Sequence, residues 1–337
     1  MTILVTGGCG FIGSTFVRQR VERGDTVIVL DALTYAGHRE NLAGVAGPGS
    51  VELVVGDICD GALVSGLFTQ HRFDALVNFA AESHVDRSIA SPGAFIETNI
   101  RGVFVLMNAS LEHARRHEGF RFVQISTDEV YGSLGPTGKF SETTPMAPNS
   151  PYSSSKAAGD LLARAWFHTY GLPVITTNCS NNYGPRQYPE KLIPTMILNA
   201  LAGRPLPVYG DGGNVRDWIH VEDHCAGISL ALERGRCGET YCFGGDAERD
   251  NLQVVRAICA ELDRLQPRAD GQPHASGIAF VTDRLGHDRR YAIDDTKASR
   301  ELGFRRAYGR FEDGLAQTVR WYLDNAAWCN AVTRARS

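Results

Sequence analysis

"TILVTGGCGFIG", residues 2–13, decides the fold. It reads as a short β-branched strand that meets a glycine turn and opens a helix from about Ser14 to Arg23, with "DTVIVLD" following as a second strand. Gly7, Gly10 and Gly13 give a G-x-x-G-x-x-G spacing at that turn. Residues without a Cβ let backbone N–H groups approach a pyrophosphate at the helix N-terminus, where the macrodipole also favours negative charge. Asp31 ends the second strand, roughly twenty residues on, where a carboxylate accepts from the ribose hydroxyls of a dinucleotide. It would repel a 2′-phosphate, so the pattern predicts NAD over NADP. Asp57, in "GDI" after the third strand, fits against the adenine.

The same order repeats outward. "VELVVGDI" (51–58), "DALVNFAA" (74–81), "FRFVQIST" (120–127) and "LPVITTN" (172–178) are apolar runs alternating with helical stretches. Such alternation predicts an α/β fold, a doubly wound parallel sheet covered on both faces. Near Asn178 turn residues multiply and elements shorten. We therefore expect a Rossmann-like NAD-binding domain over 1–178, to which the chain returns near 216–240, a smaller substrate-binding lobe over 179–330, and a tail at 331–337. The chain has 337 residues, 43% of them apolar, enough for a large core. Its net charge of −4 argues against a nucleic-acid surface and for a small-molecule partner. No apolar run approaches the roughly 18 residues of a membrane span, and the N-terminus enters a strand pattern at once, so a cytoplasmic protein is expected. Eight cysteines show no C-x-x-C pair or zinc spacing, and no metal is expected.

"YSSSK" sets Tyr152 and Lys156 four apart, one face of a helix. A phenol is a poor base near neutrality, but a nearby cation favours the phenolate, and Tyr152 would then take a proton from a substrate hydroxyl as hydride leaves the same carbon. "STDEVYG" places Thr127, Asp128 and Glu129 at the carboxyl end of a strand, the edge where open α/β sheets bind ligands. Side chains alternate along a strand, so both acids face one substrate only if the chain has already turned into a loop.

With these residues in order, the chain resembles the dTDP-glucose 4,6-dehydratases of the extended short-chain dehydrogenase/reductase group, from the first strand to about Asn325. The resemblance is carried by "AAESHVDRSI", "STDEVYG", "PYSSSKA", "NCSNNYGP", "PEKLIP", "RDWIHVEDH" and "DRLGHDRRYAID". It implies that Tyr152 deprotonates the glucose 4-hydroxyl, Glu129 removes the C5 proton, and Asp128, held protonated, releases the C6 hydroxyl as water, with NAD recycled. Cofactor contacts are implied at Phe11, Ile12, Asp31, Ala32, Leu33, Thr34, Asp57, Ile58, Phe79, Ala80, Ala81, Glu82, Ser83, Thr98, Tyr152, Lys156 and Asn182. On the substrate side it implies Ser83, Thr127, Asn181, Lys191, Leu192, Pro207, Val208, Tyr209, Arg216, Asn251, His287, Asp288, Arg289, Arg290 and Tyr291. Arg216 and Lys191 suit a diphosphate, while Pro207 and Tyr209 offer a flat wall to a pyrimidine. A homodimer through helices near 97–118 and 152–169 is also implied. Cys9 stands where the family usually has alanine and could make the site thiol-sensitive. Leu285 replaces a proline, removing a φ restraint ahead of His287. Three other readings stay open: a nucleotide-sugar 4-epimerase, which needs no acid pair; a GDP-mannose dehydratase; and a nucleotide-sugar-binding protein without turnover.

Overall fold

The computed structural model describes residues 1–283 and 288–334. Its large sheet is built from β1 (Thr2–Thr6), β2 (Thr26–Asp31), β3 (Ser50–Val55), β4 (Ala75–Asn78), β5 (Arg121–Ile125) and β6 (Val174–Cys179). The next three strands, β7 (Asn181–Tyr183), β8 (Leu206–Tyr209) and β9 (Val215–His220), lie outside it. A seventh member, β10 (Thr240–Phe243), then joins. The spatial order is β10-β6-β5-β4-β1-β2-β3, and every pair is parallel. This is the doubly wound sheet that the sequence predicts. β4 and β6 are buried along their whole length, as strands covered on both faces must be, and Ile3, Val77 and Val123 are fully enclosed.

The first helix runs Phe11–Glu22, three residues ahead of the expected start. The glycine turn itself supplies the N-cap, at Gly10 in extended conformation, so Gly13 lies inside the helix and not before it. A Cβ on Gly13 would stand 2.3 Å from the Gly7 carbonyl oxygen, and the close packing of helix on turn depends on its absence.

The remaining strands are small. β7 and β9 pair in parallel, β11 (Glu248–Asp250) joins β9 antiparallel, and β12 (Ile278–Val281) pairs with β8. They share a core of Ile193, Met196, Trp218, Val254, Ile258, Leu315 and Tyr322. Because Val215–His220 belongs to this group, the chain rejoins the large sheet later than 216: first through the helix Val221–Arg234, packed on Phe11–Glu22, and then through β10.

Two histidines at that junction are held neutral. His220 bonds Gln317 at 3.0 Å and is pushed down to about 4 by burial; His224, fully buried, is pushed down to about 3 by the same cause. Their contribution to stability is complete above the ordinary value of 6.5 and is lost as pH falls toward the folded values. Below 6.5 the unfolded chain binds protons that the fold refuses, at about 1.4 kcal/mol per pH unit for each group. Urea unfolding of wild type and His224→Gln from pH 8 to 4.5 should therefore show wild type losing more stability on acidification; parallel curves would contradict the reading.

Candidate active site

The carboxyl ends of β1, β2, β4, β5 and β6 all open on one cavity of about 350 Å³. It lies at the switch point between β1 and β4, where the strand order reverses and neighbouring loops part to opposite faces.

On one side Gly7, Gly10, Phe11, Ile12 and Gly13 line it, with Asp31, Ala32, Thr34, Asp57, Ile58, Phe79, Ala80, Ala81, Glu82, Ser83, Thr98 and Asn182 around them. Gly7 holds φ +68°, and a Cβ there would meet the Ala80 nitrogen at 2.6 Å. At Gly10 the only close neighbour of such an atom among the described residues would be the Gly7 carbonyl oxygen, at 3.2 Å, so the turn leaves the cavity clear for a ligand's approach to the backbone. Asp31 accepts from the Cys9 and Leu33 N–H groups, both at 2.8 Å. Burial nonetheless raises its carboxyl above the usual range, and further donors such as ribose hydroxyls would stabilise its charge. These residues fit a dinucleotide. Leu33 does not line the cavity; it turns through φ +51° and packs its side chain into the core beside the first helix, so its share in the site is the backbone N–H that steadies Asp31.

On the other side stand Thr127, Asp128, Glu129, Tyr152 and Lys156. Past β5 the chain becomes a single 3-10 turn, Asp128–Tyr131, capped by Thr127, whose Oγ1 accepts from the Glu129 N–H at 3.3 Å. This is a tighter form of the expected loop, and it brings both acids to the same opening. Thr127 Oγ1 also donates to Asp128 Oδ1 at 3.3 Å, while Asp128 Oδ2 is buried with no hydrogen-bond partner among the described residues. Burial first, then the charge of Glu129, holds the Asp128 carboxyl well above its ordinary range. It is a neutral acid beside a second carboxyl group.

The tyrosine differs from expectation. Lys156 is buried and donates to the Ile125 carbonyl at 2.6 Å instead of facing the phenol. Burial and the Glu129 charge push Tyr152 well above the usual phenol range, with the Thr127 contact opposing. Helix spacing set the two side chains on one face, but a desolvated ammonium takes the nearest acceptor, and here that is the strand end.

The substrate-side residues divide. Ser83, Asn181 and Lys191 line the cavity, with Lys191 Nζ donating to the Ser83 carbonyl at 3.2 Å. Leu192, Pro207, Val208, Tyr209, Arg216, Asn251, Asp288, Arg289, Arg290 and Tyr291 do not line it. Val208 is enclosed in the smaller core, where its side chain cannot meet a ligand, and Leu192 packs on that core; Tyr209 is 44% exposed. Asn251 opens a helix, its N–H on the Asn214 carbonyl at 3.1 Å. Arg216 lies over the Tyr291 ring at 4.2 Å and donates to the Asp288 carbonyl, and its charge reaches Asp128. Arg289 and Arg290 pair with Asp211 and Glu248. His287, like Leu285, lies outside the described residues.

Several lining residues escaped the sequence reading. Tyr35, with Arg87 stacked at 3.8 Å, and Tyr188 and Glu190 border the mouth. The last two sit in or next to "PEKLIP", where the reading took only Lys191 and Leu192. Asn99 pins Glu82 by accepting from its N–H and donating to its carbonyl, and no spacing rule would have found it.

This fold and cavity define an extended short-chain dehydrogenase/reductase. The family described as GDP-mannose 4,6 dehydratase matches residues 4–318. A dTDP-glucose 4,6-dehydratase of Xanthomonas campestris pv. campestris is 60% identical over 336 residues, 98% of this chain and 95% of the relative. The dTDP-glucose 4,6-dehydratase of Streptomyces venezuelae, solved with NAD and dTDP bound, superposes with TM-score 0.89 at 49% identity, over 98% of this chain and 100% of that one. A UDP-glucose 4-epimerase of Thermus thermophilus, solved with NAD, reaches TM-score 0.86 at 29% identity, over 96% and 100%. The chain belongs to the dTDP-glucose 4,6-dehydratase family.

Cys9 is fully buried, and burial with the Asp31 charge pushes its thiol up to about 12, so the expected thiol sensitivity does not arise there. A thiol-specific reagent on the native protein should label half-buried Cys237 well before Cys9. Mass spectrometry showing Cys9 modified first would overturn this.

Proposed function

We propose that Thr127, Asp128, Glu129, Tyr152 and Lys156 divide among them the proton transfers of a nucleotide-sugar 4,6-dehydratase. The chain converts dTDP-glucose to dTDP-4-keto-6-deoxyglucose and water, an NAD-dependent lyase reaction of deoxysugar biosynthesis. The observation that carries the assignment of roles is that Asp128, enclosed and joined through Thr127 to the turn that presents Glu129, sits where burial and the Glu129 charge favour its protonated form.

When bound, NAD supplies reversible hydride acceptance, from C4 of the hexose and back to C6. Gly7, Gly10, Gly13 and Asp31 would hold it. Tyr152 would accept the proton of the 4-hydroxyl as the ketone forms, the positive charge of the bound cofactor offsetting the burial and the Glu129 charge that otherwise keep the phenol neutral, and Thr127 would orient the 4-oxygen. The ketone acidifies the C5 hydrogen, which Glu129 removes as a proton, and C5 is reprotonated once hydride has returned to C6. Asp128 gives its proton to the C6 hydroxyl, which leaves as water. C5 and O6 are neighbours on one ring, so base and acid must be neighbours too, and their environments separate their proton affinities. A 4-epimerase has no use for this pair, and a binding protein without turnover would not need it.

We assign the sugar nucleotide to the side of Ser83, Asn181 and Lys191, with Arg216 and Tyr291 bordering the acids. A homodimer is part of the same proposal: Phe104 and Leu161, 44% and 55% exposed, stand on the neighbouring helices Val103–Ala114 and Pro151–Tyr170. Among the described residues no helix is long and apolar enough to cross a membrane.

With dTDP-glucose deuterated at C4, the label should end at C6 of the product; label in solvent or kept at C4 defeats the mechanism. Glu129→Gln should retain hydride transfer and accumulate reduced cofactor absorbance, and full turnover would remove Glu129 from the base role. Asp128→Asn should lower kcat by about a hundredfold, the scale of a lost general acid. Leu161→Arg should yield a monomer by light scattering, and an unchanged mass would move the interface elsewhere. Assays against dTDP-glucose, UDP-glucose and GDP-mannose side by side set the nucleotide preference.

A further inference from the structure

The helix Pro151–Tyr170 carries a third polar side chain in line with Tyr152 and Lys156. Asp160 lies four residues beyond Lys156 and is 4% exposed. Ser126 Oγ donates to its Oδ2 at 2.6 Å. Asn178 Nδ2 lies 3.4 Å from the same oxygen and donates to the Thr127 carbonyl at 3.0 Å. Lys156 holds the Ile125 carbonyl, Asp160 accepts from the Ser126 hydroxyl, and Asn178 links Asp160 to the Thr127 carbonyl, so residues 125 to 127 are held in turn where β5 ends. Asp160 Oδ1 is buried with no hydrogen-bond partner among the described residues, and an unsatisfied buried polar atom calls for an explanation.

A buried ammonium needs an anion nearby. The groups that favour the charged form of Lys156 are Asp160 first and Cys179 second. Burial pushes the Cys179 thiol far up, which leaves it neutral, and Asp160 is then the anion.

We propose that Asp160 is a positioning residue for the dehydratase reaction, the counter-charge that keeps Lys156 an ammonium inside the dry site and locks Thr127 in register. The inference rests on the function assigned above. Besides Lys156 on its own helix, the titratable groups acting near Asp160 are Cys179 on β6 and Tyr131 on the 3-10 turn; the residue just past β5 contributes the Ser126 hydroxyl. Burial raises the Tyr131 phenol far above its ordinary value, so it too is neutral. Burial also pushes the Asp160 carboxyl up to about 6, against the Ser126 bond and the Lys156 charge. The pair therefore stands at pH 7 and weakens as Asp160 takes up a proton below about 6.

The near-isosteric Asp160→Asn in the holoenzyme should lower kcat about tenfold at pH 8, the equivalent of one unit in the Lys156 proton affinity, with KM for dTDP-glucose nearly unchanged. The deficit should shrink toward pH 6 as Lys156 regains its proton, and Asp160→Glu should restore most of the rate. In cofactor-free protein, urea unfolding of D160N, K156M and the double variant should be non-additive, the double losing less than the sum. Wild-type kcat and pH profile in D160N, a loss equal at every pH, or additive unfolding would each overturn the proposal. If D160N does not fold, Ser126→Ala decides: loss of its bond raises the Asp160 carboxyl, which should lower kcat near pH 7 and leave it unchanged at pH 9, and a wild-type kcat at pH 7 overturns the proposal. Failure of wild type itself to turn over dTDP-glucose would defeat the function assignment, while the unfolding cycle would still decide the pairing.

Discussion

The parallel pairing of β1 with β2 on one side and β4 on the other is the constraint on which everything else rests. Parallel strands point their carboxyl ends the same way, so each successive loop delivers its side chains to one edge. Residues as distant as Gly7, Asp57, Thr127 and Asn182 meet for that reason alone. The glycine turn follows from it as well: helix and strand ends approach so closely at this switch that Gly7 and Gly13 have no space for a side chain.

Burial then sets the chemistry. Asp128, Tyr152 and Lys156 line the cavity and Asp160 is buried against Ser126, and each is shifted toward its neutral form by desolvation before any neighbour acts. What separates their roles is the second influence on each. Glu129 adds to the burial of Asp128 and favours its protonated form; Asp160 opposes the burial of Lys156 and favours its charged form. A site of this kind stores its selectivity in the arrangement of counter-charges more than in the reacting groups themselves.

Much of this was legible in the sequence because it depends on period and spacing. The strand runs, the glycine turn, Asp31 at the second strand's end and the adjacent acids are all local patterns, and local patterns fix which residues reach the carboxyl edge. Orientation was not legible. That Lys156 meets the Ile125 carbonyl, that Val208 turns inward and that Asn99 clamps Glu82 are decided by contacts 17 to more than 30 residues apart or by packing across the smaller core. The early start of the first helix shows the limit from the other direction. A glycine reads as a break in any window of sequence, yet in the fold Gly13 is helical because close packing favours it there.

The position of β10 at the rim of the large sheet has a consequence for how the chain is made. Its hydrogen-bonding partner, β6, is complete by Cys179, but Thr240–Phe243 arrives only after three strands of the smaller group have been laid down. During synthesis β6 must therefore wait as a bare rim, its backbone open to pairing with other nascent chains. A fragment ending near residue 178 would keep that rim permanently, so the two parts of this molecule can be told apart by eye and yet cannot be separated by scissors.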